Sequence, residues 1–231
     1  MNLKQLKTSE RDWKRKHTYR QARLRIARAA NHRERIDHWT KLRDEASWYL
    51  RRRRQQIREH TATPPIVTSA QLGLKFQYVF GGKGRVNRGA WHYTAGARRA
   101  NRNALVSEMR SDHAYHISKG WGGGSYEAMI ADDGTIGFLN PVARKSAGVA
   151  GHNSGLVNIC CPGTTGDRLS DAQKRSLQWL RDNWHTTKVP TAYRLPRSAR
   201  SLSWRGHNEY PGNPTGCPGA MLADYKRTWT S

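Results

Sequence analysis

The sequence predicts an α/β domain, a mixed central β-sheet flanked by helices, preceded by a basic α-helical N-terminal arm. Three observations point there. Residues 1–60 contain neither glycine nor proline, the first of each being Gly73 and Pro64. The same stretch holds 19 Lys and Arg against 7 Asp and Glu, a net +12 of the +24 carried by all 231 residues. Beyond it the texture changes: glycines become frequent, and short apolar runs bounded by turns alternate with segments of helical period.

In chain order, the arm comes first. Ile36, Trp39, Leu42, Ala46, Tyr49, Leu50 and Ile57 recur at helical spacing, and Leu24, Ile26, Ala27 and Ala30 do so less cleanly. The pattern fits one long helix or a helical hairpin bending near "AANHR" (29–33), with "RRRRQQIRE" (51–59) as its most basic patch. "TATPPIVTSA" (61–70) reads as a linker, because adjacent prolines end any helix before them. Residues 71–231 form the second domain. "GAWHY" (89–93), "YEAMIAD" (126–132) and "LVNICC" (156–161) read as strands, and "GTIGF" (134–138) as the return of a hairpin across "DDG". "SDAQKRSLQWLRDNW" (170–184) reads as a helix capped by Ser170, with Leu177, Leu180 and Trp184 on one face. "GAMLADYKRTW" (219–229) reads as a closing helix.

Composition bounds the function. Apolar residues make up 36% and charged residues 25%, so a core forms only if charge is concentrated elsewhere. A net charge of +24 implies an acidic partner: nucleic acid, an anionic membrane or envelope surface, or an anionic wall polymer. Three cysteines make no disulfide framework, and adjacent Cys160 and Cys161 point to opposite faces of a strand, which rules out joint chelation. The opening "MNLKQLKTSERDWKRK" has no apolar segment of a secretory signal. No run approaches the roughly 18 apolar residues of a membrane span. The expectation is a protein made in a cytoplasm and released by other means.

Ten histidines are present, most of them in the arm or in loops. His92 differs: in "GAWHYTAG" (89–96) it ends a strand where a core would favour Val or Ile, between Trp91 and Tyr93. His207 differs too, followed by Cys217 in "WRGHNEYPGNPTGCPG" (204–219). Zinc accepts neutral imidazole and thiolate, and catalytic zinc sites use three protein ligands plus an open position. Two His and one Cys satisfy that chemistry, but this spacing is common by chance and does not select a metal.

Five ordered blocks carry a resemblance. They are "WHYTAG" (91–96), "HISKGWGGGSYEAMIADDGTIG" (116–137), "AGVAGHNSGLVNICCPG" (147–163), "LSDAQKRSLQWL" (169–180) and "GHNEYPGNPTGCPG" (206–219). Together they resemble the zinc-dependent N-acetylmuramoyl-L-alanine amidases, the family of amidase-type phage lysozymes and peptidoglycan-recognition proteins, over roughly residues 86–229. Nothing in residues 1–60 is covered. The resemblance implies Zn²⁺ held by His92, His207 and Cys217, with His92 aimed into a groove. It implies Tyr126 and Thr215 as catalytic residues, and His152 and Asn153 along a substrate groove whose rim is "GWGGGSY" (120–126). The chain departs from the pattern at Glu127, where His is common, at Asn208-Glu209, where Arg-Asp is usual, and in a longer His-to-Cys loop.

The implied reaction is hydrolysis, by zinc-activated water, of the amide joining N-acetylmuramic acid to L-alanine of the stem peptide. The implied partner is bacterial peptidoglycan, and the setting is a bacteriophage endolysin acting on the wall after release, or a virion-attached lysin. The arm is expected to bind an anionic wall polymer or envelope surface. Two alternatives stand beside this. A non-catalytic peptidoglycan-binding protein typically lacks the cysteine ligand, and Cys217 is present. A nucleic-acid-binding protein is suggested by the charge, but residues 61–231 show no nucleic-acid fold signature or aromatic stacking pattern.

Overall fold

A computed structural model describes residues 3–77, 83–197 and 201–230. The chain divides into two compact units, Met1–Ala62 and Thr63–Ser231.

The first unit is a helical hairpin of α1 (Leu3–Ala29) and α2 (Arg33–Thr61). The turn sits where the sequence suggested, with Asn31 in a left-handed conformation (φ 52°). Asn takes that conformation at lower cost than most residues, because its short polar side chain can bond locally. The apolar seam is thin: Leu6, Leu24 and Ala27 on α1, Ala46 and Leu50 on α2. Polar and aromatic contacts complete it. Trp13 stacks on Tyr49 at 4.2 Å, Arg20 donates to the Leu42 carbonyl at 2.6 Å, and Arg54 pairs with Glu10 at 3.1 Å. Ile26, Tyr19 and Trp48 remain exposed. Arg52 lies 5.2 Å from the Trp48 ring, so one outward aromatic is flanked by positive charge.

The second unit is built on a six-stranded sheet. Its strands are β1 (Ile66–Thr68), β2 (Arg88–His92), β3 (Ala128–Ile130), β4 (Ile136–Phe138), β5 (Leu156–Cys160) and β6 (Ser203–Gly206). Their order is β1-β4-β3-β5-β2-β6. Only β3 and β4 are antiparallel, joined by the "DDG" turn; the other neighbours are parallel. Gly134 is required in that turn: its φ is 88°, and a Cβ there would crowd Ser176 Oγ and the Ala172 carbonyl.

The helices cover both faces, as an α/β sheet demands. On one face α4 (Asp171–Asn183) and α5 (Met221–Thr230) bury Leu177, Leu180, Met221 and Tyr225, together with Trp184 just beyond α4, against Trp91, Val157, Ile159 and Cys161. Ser170 caps α4 in a reciprocal box with Gln173, an arrangement worth about 1 kcal/mol. On the other face α3 (Arg102–Ser118) brings Leu105 and Met109 against Met129, Leu139 and Cys160. Cys160 and Cys161 thus pack on opposite faces, as strand alternation requires.

Three departures from the sequence reading have local causes. Residues 66–68 lie within the stretch read as a linker, yet they form β1. Pro64 and Pro65 do follow the end of α2, but the next residues are β-branched and pair with β4. Helix α3 has no counterpart in that reading, because its buried face of Leu105, Met109, His113 and His116 is half histidine. Strand β6 also escaped notice: its side chains are mostly exposed or half-buried, and it carries little apolar pattern. Among the described residues no helix is long and apolar enough to cross a membrane.

Candidate metal centre

The mixed sheet brings the three sequence-selected residues together. His92 is the last residue of β2, paired in register with Cys160 of β5. On the other side of β2 lies β6, and the chain leaves β6 at Gly206 straight into His207. The loop then returns, so that the Asn208 N–H donates to the Cys217 carbonyl at 2.9 Å. One ligand atom each from His92, His207 and Cys217 lies within 4.8 Å of the others. The His92 and His207 rings are 4.8 Å apart, and Cys217 Sγ is 3.7 Å from His92 Nδ1. That last distance is close to the ~3.5 Å edge of a tetrahedral zinc site with ordinary Zn–N and Zn–S bonds.

Burial sets the electrostatics. His92 is 1% exposed. Its pKa falls to about 3, first through burial, then through repulsion by His207, with the Asn158 hydrogen bond opposing. Burial likewise lowers His207, against the bond to Asn213. Both imidazoles are therefore neutral, the form that binds a metal. Burial pushes the Cys217 thiol up to about 12, although the Tyr93 N–H, 3.2 Å from Sγ, favours the thiolate. Two neutral imidazoles and a thiol that only a nearby cation will ionise are a donor set suited to zinc.

The His92 ring is buried within the sheet. It is enclosed by Tyr126, 5.2 Å away between ring centroids, and by Asn158, whose Oδ1 is 2.9 Å from Nε2. Enclosure follows from its strand: β2 lies inside the sheet, where both faces are covered. Tyr126 has a pKa well above the usual phenol value, chiefly from burial and secondarily from Cys160, Asp112 and Cys217, so its hydroxyl keeps its proton. Thr215 Oγ1 accepts from the Cys217 N–H at 3.2 Å and so braces the loop that carries Cys217.

His152 and Asn153 have separate roles. His152 is turned onto the ligand loop: its Nε2 is 2.9 Å from the Pro211 carbonyl, and its ring is 5.3 Å from that of Tyr210. Asn153 accepts from the Val149 N–H at 2.8 Å and borders a pocket of about 440 Å³. Trp121, Lys145 and Ser146 also line that pocket. Ser146 Oγ is 2.8 Å from Asn158 Nδ2, so the pocket wall touches the partner of His92.

The sequence reading missed four polar residues around this site: Lys83, Asn158, Asn213 and Ser146. Asn213 Oδ1 is 3.3 Å from His207 Nε2, and its Nδ2 donates to the Ala150 carbonyl at 3.2 Å. A signal was present for one of them, since Asn158 is a lone amide in the apolar run "LVNIC".

No family model matches the chain, and no curated relative matches it either. Solved structures do. The chain is similar to Drosophila peptidoglycan recognition protein SD at 20% identity and a TM-score of 0.58, over 71% of this chain and 95% of that one. It is similar to bumblebee PGRP-SA at 19% and 0.59, over 71% and 95%. It is also similar to N-acetylmuramoyl-L-alanine amidase LysC from Clostridium intestinale URNW at 18% and 0.53, over 73% and 99%. The chain therefore has the fold shared by peptidoglycan recognition proteins and N-acetylmuramoyl-L-alanine amidases.

Proposed function

We propose that the chain is a zinc-dependent N-acetylmuramoyl-L-alanine amidase that cuts the bond between N-acetylmuramic acid and L-alanine of the stem peptide. The observation that carries this reading is the convergence of His92, His207 and Cys217 beside Tyr126 in a fold known from amidases. Zinc held there supplies Lewis acidity, which lowers the pKa of water and polarises an amide carbonyl. The residues do the rest. Tyr126, kept protonated by burial, donates to the carbonyl oxygen as negative charge develops. Thr215 holds the loop of Cys217 and offers its own proton to the same region. The pocket edged by Trp121, Lys145 and Asn153 takes the polymer, with an aromatic face for sugar and an ammonium for a peptide carboxylate. One of the similar structures is an endolysin amidase, LysCS from Clostridium intestinale URNW, which supports a lytic role, and we assign the chain to phage-mediated host lysis.

Mass spectrometry of digested peptidoglycan tests the reaction. Free stem peptides beginning with alanine, beside peptide-free glycan, are expected. Binding without release of stem peptides would make the chain a recognition protein and end the amidase reading.

Tyr126→Phe is expected to leave zinc bound and to lower turnover on the order of 10²-fold, the usual cost of losing an oxyanion donor. Unchanged hydrolysis would reduce Tyr126 to a packing residue.

The hairpin of residues 1–60 is assigned to an anionic wall or envelope surface, because its net +12 meets little internal compensation. A chain starting at Thr61 is expected to fold, hold zinc and cut soluble muropeptides at an unchanged rate. It should clear whole cells more slowly at low salt, with the gap closing as salt shortens the screening length below roughly 8 Å. Loss of activity on soluble muropeptides would mean that the hairpin supports the catalytic unit instead.

A further inference from the structure

On the sheet face that carries His92, polar side chains from three adjacent strands form one continuous line. Glu127 stands just before β3, Asn158 lies on β5 and His92 ends β2, and none is more than 1% exposed. Beyond Glu127 lies Lys83, 2% exposed and ion-paired with the Glu127 carboxylate. Four charged or polar groups at such depth are expensive unless they are hydrogen-bonded to one another. The Glu127 carboxylate is the hub. Glu127 Oε2 accepts the Asn158 backbone N–H at 2.6 Å and lies 3.4 Å from Asn158 Nδ2, while Oε1 accepts from Asn140 at 3.3 Å and from Lys83.

The line has a direction. Asn158 Nδ2 faces two acceptors, Glu127 Oε2 and Ser146 Oγ. Turning the amide over would set its oxygen against the carboxylate. Asn158 Oδ1 must therefore face His92, and a carbonyl oxygen only accepts. It follows that Nε2 of His92 carries the hydrogen and Nδ1 carries the lone pair. Nδ1 is the nitrogen that lies 3.7 Å from Cys217 Sγ.

We propose that Asn158 is the positioning residue of the metal centre, fixing His92 as the Nε2–H tautomer with Nδ1 presented to zinc, and that the buried Lys83–Glu127 pair sets the direction of the Asn158 amide. This rests on the metal-centre reading above. It extends that reading by three residues that touch neither metal nor substrate.

The test uses the full chain and two readouts. In zinc-free protein, ¹⁵N resonances of His92 should show a protonated Nε2 and a bare Nδ1. In competition with a chromogenic chelator, Asn158→Leu should bind zinc about 10- to 100-fold more weakly, the usual effect of removing a ligand's hydrogen-bond partner. Glu127→Gln should weaken binding too, since a neutral amide no longer dictates which end of Asn158 faces His92. The double variant E127Q/N158D changes no volume and moves the carboxylate next to His92. It should restore affinity, which a purely structural role does not explain. Wild-type affinity in Asn158→Leu, or a proton on Nδ1, overturns the role of Asn158. Wild-type affinity in Glu127→Gln, or no recovery in the double variant, overturns the part given to the ion pair. A native chain that takes up no zinc at all overturns the metal-centre reading itself, and is seen before any variant is made.

Discussion

His92→Ala/Cys217→Ala is expected to carry no zinc and to release no stem peptides, while keeping its fold. Of the three ligand positions it leaves only His207, which is half-buried and hydrogen-bonded to Asn213. One imidazole does not hold zinc against solvent, because catalytic sites need three protein ligands. The loss in rate should be at least about 10³-fold, since water with a pKa near 15.7 replaces water with a pKa near 7. The fold should survive because Trp91, Ile159 and Tyr225, which hold this end of β2 from the opposite face, are untouched. Elemental analysis and circular dichroism separate the two effects. Full zinc occupancy in this variant would remove the ligand assignment altogether.

Lys83→Met is expected to be the most destabilising single change in the second unit outside the apolar core. It leaves the Glu127 carboxylate, 0% exposed, without its cation. Breaking a buried pair from one side typically costs about 3–5 kcal/mol, because the remaining charge is uncompensated. Burial pulls the Lys83 pKa below its ordinary value, and Glu127 opposes that shift, so the Lys83 charge depends on its partner. Lys83→Met/Glu127→Gln should therefore lose less than Lys83→Met alone, since Gln still accepts the Asn158 N–H and no bare charge remains. Denaturant midpoints of the three proteins give the comparison. A double variant as unstable as the single one would mean that the two residues are not coupled.

Much of this molecule was legible in its residues, and the limits have physical reasons. The hairpin between β3 and β4 was readable because "DDG" flanked by apolar runs specifies a tight turn. Helix α4 was readable from its cap and its Leu177–Leu180 spacing. The three candidate ligands were chosen by a resemblance in ordered motifs, and the sheet does bring His92, His207 and Cys217 together. Helix α3 was not readable, because His113 and His116 occupy positions on its buried face where apolar residues would have shown the period. The network behind His92 was not readable as a network for another reason. Lys83, Glu127 and Asn158 are far apart in sequence, nothing in their spacing links them, and only the fold makes them neighbours. Glu127 did stand out as a departure from the motif, and its full burial accounts for the choice: a carboxylate at that position serves Asn158 and Lys83.

The order in which the ligands occur along the chain bears on when the site comes into being. His92 and Cys217 are separated by 125 residues, and Cys217 is held by a loop that follows β6, the strand added at the edge of the sheet beside β2. Contacts of such long sequence separation form late, because the chain must be ordered before they repay the cost of closing the loop. A nascent or partly folded chain with β1 to β5 in place presents His92 without His207 or Cys217 beside it. The His92–His207–Cys217 cluster is thus incomplete until the sheet has gained its sixth strand. Zinc uptake, followed in time, is a direct clock for that final step.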